Sequence, residues 1–300
     1  MNLRSFFRDD RATKALLGMG KKEFEELIPA FEQALKAAYK EVRPDRKRKI
    51  GGGKIGILRS VEEKLAFVLF YLKTYPTFDV LGAFTGRDRS RSCRSAHFLF
   101  PVLEKTLKIK LVLPTRQIRS VEELLETFPE AREIFLDGVE RPVQKPTSQK
   151  RKKKLYSGKK KMTTRKSVIA TDGKKRIGIL TPTKSGRRHD KRLSDKADFV
   201  RYIPEDMAII TDTGFQGIQT MHTNTLMPKK GSKKHPLSTE DKQNNRLISS
   251  VRILVEHAIA GIKRFKAAAD IYRNRKPNLD DQFMLLSAGL WNLHLQGQTI

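Results

Sequence analysis

Two aspartates each follow a short apolar run of the kind found in buried strands. "EIFLDGVERP" brings Asp137 after residues 134–136, and "MAIITDTGFQG" brings Asp212 after residues 209–211. Asp-Gly after such a run also suits a two-residue hairpin turn, so the first pattern alone leaves both interpretations open. If the two strands are neighbours in one sheet, their ends bring the two carboxylates together. Mg²⁺ and Mn²⁺ prefer such oxygen ligands, and Gly138, which has no β-carbon, would let DNA or metal approach Asp137.

A third carboxylate lies in "NRLISSVRILVEHAIAGIKRFK". At about 100° per residue, Arg252, Glu256 and Lys263 share one polar helix face. Taken alone, this Glu would be read as an i to i+4 salt bridge with Arg252, worth only a few tenths of a kcal/mol. The two aspartates upstream favour a catalytic role instead. The apolar stripe beside this face is predicted to be buried, and it comprises Leu247, Val251, Leu254, Val255, Ala258, Ile262 and Phe265.

The elements around these acids predict an α/β domain. A helix is expected over 190–200, and two long helices over 238–268 and 279–295. Strands are expected at 133–137, 166–171, 176–181, 207–211 and 225–229. In this order the strands carry both aspartates, and a later helix carries the glutamate.

A strongly basic tract separates the first two predicted strands. Residues 145–166 contain 11 Lys or Arg in 22 residues and no acid. Such tracts are often solvated and disordered. Because this one lies inside the domain, with Tyr156 and Gly158 at its middle, a basic hairpin or loop facing a phosphate backbone is the favoured interpretation, with Lys159, Lys160 and Lys161 as DNA contacts.

The N-terminal third reads as helical. Residues 1–45 form a helical lead-in, and "RPDRKRKIGGGKIGI" marks a flexible basic linker. Ser60 and Glu63 form a capping box that opens a helix over 61–74. Thr77 caps a short helix through Phe84, Gly86 gives the turn, and a third helix begins near Arg89 or Ser90.

Helix, short helix, glycine turn and an Arg/Ser-rich helix are typical of a helix-turn-helix, whose last helix enters the major groove. Arg can pair there with guanine or phosphate, and Ser with either. An ordinary three-helix unit with a solvated basic face remains the alternative. The predicted DNA contacts are Arg87, Arg89, Arg91, Arg94 and Ser95.

The net charge favours a polyanionic partner. With 62 Lys plus Arg against 33 Asp plus Glu, the formal charge is +29 and the pI about 10.3. Nucleic acid is the leading partner, and a ribosomal or membrane-surface role remains open on charge alone. The single Cys93 fits a reducing compartment. Without an apolar run long enough for a membrane span or a signal peptide, we expect a soluble intracellular protein and no membrane partner.

Together, Asp137, Asp212 and Glu256, with 74 and 43 residues between them, resemble the acidic triad of the DDE transposases of bacterial insertion sequences. The resemblance is to the insertion-sequence-5 branch, related to the Harbinger elements, and extends from about Leu58 to Leu295. That family also shows Tyr, Arg, Glu and Lys on one helix, and this chain has Ser249 at the Tyr position. The other similar motifs are "FLDGVERPVQKP", "YSGKKKMTTRKSVI", "TPTKSGRRHDKRL" and "ITDTGFQG".

The resemblance implies a ribonuclease-H-like catalytic domain, a mixed sheet flanked by helices, over residues 131–300. An all-α helix-turn-helix domain over 51–110 precedes it, with a connector over 111–130 and a helical region and linker over 1–50. The implied activity is DNA cleavage and strand transfer at terminal inverted repeats, with two Mg²⁺ ions that Mn²⁺ can replace. The implied partners are the terminal repeats and target DNA, bound by a homodimer in the bacterial cytoplasm with the nucleoid.

In this scheme Asp137, Asp212 and Glu256 hold the metal, and Arg252 and Lys263 bind phosphates. His189 and Asp190 could support the site or contact DNA, although capping of the following helix is an equal alternative. A domesticated protein that binds DNA without cutting it is the main rival function. A structural RNA-binding protein would account for the charge but not for the triad.

Overall fold

The computed structural model describes residues 3–42, 44–45, 56–233 and 235–298. The basic linker predicted around residues 43–57 therefore lies almost wholly outside the described residues. The chain divides into two compact units. Unit 1 contains residues 1–113, 262–270 and 282–300, and unit 2 contains residues 114–261 and 271–281. Neither unit is one continuous stretch of chain, whereas the sequence had suggested a single catalytic segment over 131–300.

The helices follow in chain order, first those that begin in unit 1 and then those that begin in unit 2. The first six are α1 (Leu3–Phe6), α2 (Asp10–Leu17), α3 (Lys21–Val42), α4 (Val61–Thr74), α5 (Phe78–Thr85) and α6 (Arg89–Ile109). The others are α7 (Val121–Thr127), α8 (Gln149–Leu155), α9 (Asp190–Ala197), α10 (Thr239–Lys263), α11 (Lys266–Ala269) and α12 (Leu279–Gln296).

The helix starts in unit 1 are fixed by side-chain caps. Ser60 and Glu63 form the predicted reciprocal capping box at the start of α4. Thr77 caps α5 and Asp88 caps α6, each accepting a hydrogen bond from a backbone N–H of its helix. Gly86 ends α5 in the left-handed region at φ 66°, where glycine is favoured. These bounds match the sequence prediction for residues 61–89.

Aromatic side chains fill the core of unit 1. The ring of Phe100 lies 5.4 Å from that of Tyr71 and 5.0 Å from that of Phe283, measured between centroids. All three side chains are buried. Phe283 lies on α12, so the C-terminal helix contributes to the same core as α4 and α6. Offset and edge-on contacts of this kind are favourable beyond the area they bury.

Unit 2 is built on a mixed sheet. Its strands are β1 (Glu133–Pro142), β2 (Tyr156–Ser157), β3 (Met162–Thr171), β4 (Ile177–Leu180), β5 (Lys184–Ser185), β6 (Ala208–Thr211) and β7 (Thr225–Leu226). The order is β2-β3-β1-β6-β7, and β4 and β5 also pair with β3. β1 runs antiparallel to β3 and parallel to β6, and β6 runs parallel to β7. A mixed sheet flanked by helices fits the predicted ribonuclease-H-like core.

One face of this sheet carries the core of unit 2. Ile134 and Leu136 of β1 and Val168 and Ala170 of β3 alternate with residues of the other face, as side chains do in strands. Helical and turn residues cover them, including Leu124, Leu193, Phe199, Phe215 and Ile218. The first residues of β1 are therefore fixed from the sheet and from its cover, which holds the following residue, Asp137, in a set position.

The long helix α10 departs from the predicted pattern. Val255, Ala258 and Ile262 are buried as expected, but Leu247 is 66% exposed and Val251 is 39% exposed. The predicted stripe is therefore covered only along its C-terminal half, because apolar spacing identifies a face and not what packs on it. The helix also ends at Lys263 instead of continuing to 268, since Phe265 is extended before the short α11.

Among the described residues, no helix combines the length and the apolar character that crossing a bilayer requires.

Candidate active site

The sheet brings the two strand-end aspartates side by side. β1 and β6 are parallel neighbours, with Leu136 paired to Thr211. The next residue on each strand is an aspartate, Asp137 and Asp212. The Thr211 hydroxyl donates to the Leu136 carbonyl at 3.1 Å and ties the two strands together just before the acids. Asp137 therefore lies within a paired strand and not in a hairpin turn.

Both carboxylates are held in the same way. The Oδ1 atom of Asp137 accepts from the Gly138 N–H at 2.6 Å, and that of Asp212 accepts from the Gly214 N–H at 2.8 Å. Their Oδ2 atoms face cations. Arg252 Nη2 lies 3.4 Å from Asp137 Oδ2, and Lys159 Nζ lies 3.5 Å from Asp212 Oδ2. Each acid thus has one oxygen fixed by backbone and one oxygen in a long ion pair.

The pair of carboxylates is electrostatically strained. Burial of Asp137, together with repulsion from the Asp212 charge, raises the pKa of Asp137 to about 6. The Arg252 and Lys159 charges and the Gly138 N–H act in the opposite direction without cancelling this effect. A buried acid with a raised pKa next to a second acid is a common sign of a functional site.

A third carboxylate, that of Asp190, lies against both glycines. A β-carbon on Gly138 would lie 2.5 Å from Asp190 Oδ1, and one on Gly214 would lie 3.0 Å from Asp190 Oδ2. Gly138 was expected to admit DNA or metal, but the group that approaches it is this side chain. Asp190 begins α9 and is 7% exposed. Burial raises its pKa, although Lys166 opposes the effect.

Lys166 connects Asp190 to a fourth acid. Its ammonium lies 3.0 Å from Asp190 Oδ1 and 2.9 Å from Glu140 Oε1, and all three side chains are buried or nearly so. Glu140 also accepts from the Thr164 hydroxyl at 2.8 Å. Burial alone would lower the pKa of Lys166, but its two acidic partners outweigh burial and raise it. This chain of charges supports the carboxylate that lies over the two glycines.

His189 and Asp190 behave differently from a helix cap. His189 occupies the N-cap position of α9 but makes no capping hydrogen bond through its side chain, and it is exposed. Asp190 instead turns its carboxylate to Lys166. Of the two interpretations of this pair, capping by the side chain is therefore excluded, and Asp190 is the member that supports the neighbouring acids.

A cationic cavity of about 680 Å³ opens beside Asp212 and Asp190. The sequence analysis quoted "TPTKSGRRHDKRL" for its resemblance but did not select the cations in it. Four Lys or Arg close together in that motif were the available signal. The Lys and Arg residues that line the cavity are Lys159, Lys166, Arg187, Arg188, Lys191, Arg192 and Lys230.

The basic tract forms the predicted hairpin. Tyr156 pairs with Thr163 across β2 and β3, and Lys161 sits in the turn at φ 52°. Of the three lysines predicted to contact DNA, Lys159 reaches Asp212, whereas Lys160 and Lys161 are exposed at the hairpin tip.

Glu256 is not brought into the acidic pair. It is exposed on α10, four residues beyond Arg252 and so about 6 Å further along the helix axis. Ser249, where the resemblance has Tyr, is exposed on the same helix. Lys263 is exposed at the C-terminal end of α10, in the segment that belongs to unit 1. Arg252, predicted to bind phosphate, contacts Asp137 instead.

The predicted DNA contacts of unit 1 lie at the start of α6. Arg89, Arg91 and Arg94 are exposed, and Ser95 is partly buried. Arg87 differs, because its guanidinium lies 5.8 Å from the Phe67 ring centroid and is partly buried, which lowers its pKa. The predicted helices are present, and a DNA-reading role for them stays a prediction.

The residues present fit a divalent cation, although they do not enclose one. In the part of the chain that the structure describes, no three His, Cys, Asp or Glu side chains are grouped closely enough to share an ion. Two carboxylates are sufficient for Mg²⁺, which usually keeps water and substrate phosphate as its other ligands. Asp137 and Asp212 supply that pair, and their mutual repulsion is what a bound cation would relieve.

A pair of strand-end aspartates on a mixed sheet, with a basic cavity beside it, defines a phosphoryl-transfer nuclease of the ribonuclease-H-like class. Comparison with known families agrees. Residues 136–292 match the family described as "DDE superfamily endonuclease". The chain belongs to this family.

A curated relative extends the similarity beyond that domain. The chain is 29% identical over 274 residues to the "Probable transposase for insertion sequence element IS702" of Microchaete diplosiphon. The alignment covers 91% of this chain and 95% of the relative. No solved structure matches. The predicted membership of the DDE transposases of insertion sequences is confirmed.

Proposed function

We propose that this protein is a transposase that binds the terminal inverted repeats of its own insertion sequence, cuts the DNA there and joins the ends to a target. The observation that carries the proposal is the parallel pairing of β1 and β6, which sets Asp137 beside Asp212. Membership of the endonuclease family supports the cutting step.

Asp137 and Asp212 would hold the cation, with Glu256 as the third acidic residue of the proposal. Divalent cations there, two Mg²⁺ ions that Mn²⁺ can replace, would activate a water or a 3′-hydroxyl and stabilise the leaving oxygen. The backbone N–H groups of Gly138 and Gly214 fix one oxygen of each aspartate. This leaves the other oxygen of each available, so little reorganisation is needed for binding.

The cations at the site can change partners. Lys159 is 63% exposed and its ion pair with Asp212 is long, so the lysine can leave for a DNA phosphate when Asp212 is engaged otherwise. Arg252 is mostly buried beside Asp137 and keeps that side chain oriented. Asp190 would act indirectly, by filling the space over both glycines.

The DNA would follow the basic surface of unit 2. The cavity lined by Arg187, Arg188 and Arg192 adjoins Asp212, and arginine suits phosphate because its guanidinium can donate two parallel hydrogen bonds. The exposed start of α6 would read the terminal repeat, with Arg89, Arg91, Arg94 and Ser95 as its contacts. Pairing of two element ends requires two active sites, and we propose a homodimer on DNA.

The test is cleavage of a linear duplex that carries the element's ends, in Mg²⁺ and separately in Mn²⁺. We expect nicking by the wild-type protein. Asp137→Asn should abolish nicking and leave DNA affinity nearly unchanged, because the amide keeps the shape but loses the charge that binds a cation.

The exposed Asp206 provides a matched control, since Asp206→Asn changes the charge equally and should cut normally. Wild-type protein that binds the ends and cuts in neither metal would contradict the proposal and would favour a domesticated DNA-binding protein.

A further inference from the structure

A second cavity, of about 520 Å³, lies elsewhere in unit 2. Its walls come from the segment after β1, from α8, from β3 and from residues 272–275. None of the residues that line it carries an acid of the Asp137 and Asp212 pair. The site residues described above leave this cleft without a role.

The charge of the cleft is strongly positive. Its only lining carboxylate among the described residues is Asp280, which is 5% exposed and paired with Arg165 at 2.7 Å. The Lys and Arg residues that line it are Lys145, Arg151, Arg165, Arg273 and Arg275. Of these, Lys145, Arg151 and Arg275 are exposed and pair with no carboxylate in the described part of the chain. A cleft with this composition suits a phosphate-bearing ligand.

The cleft is built on fixed backbone. The Tyr272 N–H donates to the Pro142 carbonyl at 2.9 Å, and the Gln144 N–H donates to the Tyr272 carbonyl at 3.1 Å. The guanidinium of Arg141, which is 1% exposed, lies 4.8 Å from the centroid of the Tyr272 ring. The segment after β1 and the segment before α12 are thereby joined, and the cations on them have set positions.

The strand β1 links this cleft to the acidic pair. Asp137 and Val143 are six residues apart, and Val143 follows directly on β1 and pairs with Tyr272. At about 3.3 Å per residue, the strand covers roughly 20 Å between them. Duplex DNA rises about 3.4 Å per base pair, so this distance corresponds to about six base pairs.

We propose that this cleft binds the backbone of duplex DNA about six base pairs from the phosphate that is cut. The inference rests on the proposed function for its reference point, the scissile phosphate. It adds a second phosphate-binding site, which sets how much duplex beyond the cut contributes to binding. DNA is preferred over an acidic protein segment because arginines and a β-strand spacer measure out a regular phosphate repeat.

The experiment compares a variant of the cleft with a matched control. Arg151→Gln with Arg275→Gln removes two lining cations. Lys153→Gln with Lys276→Gln removes two exposed cations from the same two segments outside the cleft. Affinity is measured by fluorescence anisotropy on element-end duplexes that extend about 3, 6 or 9 base pairs beyond the scissile phosphate, each pair adding about 3.4 Å.

Wild type and control should gain about tenfold in affinity once the duplex passes about six base pairs. The cleft variant should lack this gain, and its salt dependence on the longest duplex should be shallower by about two in log–log slope. On the shortest duplex all three proteins should bind and cut equally.

Two results would overturn the proposal: an equal gain by the cleft variant, or an equal loss by the cleft variant on every duplex. A change in oligomeric state without a change in DNA affinity would also overturn it and would assign the cleft to a protein partner. If no protein cuts but the length-dependent gain still requires Arg151 and Arg275, the proposed cleavage fails and the DNA-binding cleft stands.

Discussion

The geometry of Asp137 and Asp212 begins with the glycines that follow them. Each aspartate gives one oxygen to a nearby glycine N–H and keeps the other oxygen beside a cation. The carboxylate of Asp190 occupies the space that a side chain at either glycine would need. Substrate or metal therefore meets one open oxygen on each acid, and the orientation of both is set before anything binds.

The raised pKa of Asp137 predicts a pH-dependent stability. An unfolded Asp titrates near 3.9, and the folded one titrates at about 6. The folded state therefore holds a proton that the unfolded state has lost between these values. Its contribution to stability is complete below about pH 4 and is lost as the pH rises through about 6, by about 3 kcal/mol at most.

Asp137→Asn removes this dependence, so the variant should gain on wild type between pH 4 and 6.5 in metal-free buffer. The measurement is urea denaturation followed by circular dichroism across that range. Asp206→Asn, an exposed position in unit 2, provides the baseline. Parallel curves for wild type and Asp137→Asn would contradict the prediction.

Lys166 predicts a large effect on folding. Lys166→Met removes the cation between two buried acids, Glu140 and Asp190, and leaves both uncompensated. We expect a loss of about 3 kcal/mol or more in the free energy of unfolding.

Lys174→Met is the control for this change, because Lys174 pairs with Glu130 at 2.6 Å but is 79% exposed. An exposed pair contributes about 0 to 1 kcal/mol. Urea denaturation of both variants gives the comparison, and similar losses would show that burial does not set the strength of the Lys166 contacts.

At this scale the sequence indicated the acids better than their supports. An apolar run before Asp137 and Asp212 is visible in the sequence, because a buried strand needs apolar residues up to its end. The contacts of Asp190 depend on Lys166 and Glu140, which are far from it in the chain. Pairing of that kind depends on strand register, and no local pattern reports it.

Among the elements, α6 carries a prediction about recognition. Arg91 and Arg94 are exposed on its first turns, after the Asp88 cap. If this helix reads the terminal repeat, Arg91→Ala with Arg94→Ala should weaken end binding by about 1–3 kcal/mol for each of the two arginines that pairs with a base. Circular dichroism should show that the variant is folded.

The control is Lys108→Ala with Lys110→Ala, the same change in charge at the other end of this helical region. Binding is measured on the element end and on unrelated DNA of equal length. Unchanged affinity for the element end would move recognition to other residues, the basic segment 145–166 first.

Capped helices were predictable, and edges of strands were not. Ser60, Thr77, Asp88 and Gly86 fix helix ends through local chemistry, so the bounds of α4 and α5 were correct within a residue. β1 and β3 extend further than predicted, because their polar halves, residues 139–142 and 164–167, are stabilised by pairing with each other. The exposed half of α10 shows the opposite case, an apolar pattern without a covering element.

For the whole molecule, charge predicted the kind of partner, and topology was needed to locate the surfaces. A net charge of +29 is a property of composition, and it says nothing about where the cations gather. The structure gathers many of them around two cavities of unit 2, beside Asp212 and beside Tyr272. The division into units also differs from the predicted domains, since contacts between distant segments decide it.

The path of the chain between the units has a consequence for inheritance. The chain crosses from one unit to the other after Leu113, Gly261, Asp270 and Asp281. A gene rearrangement that replaced one unit with a foreign one would have to join correctly at all four points. We therefore expect the specificity of proteins with this connectivity to diverge by point substitution and not by the exchange of whole modules.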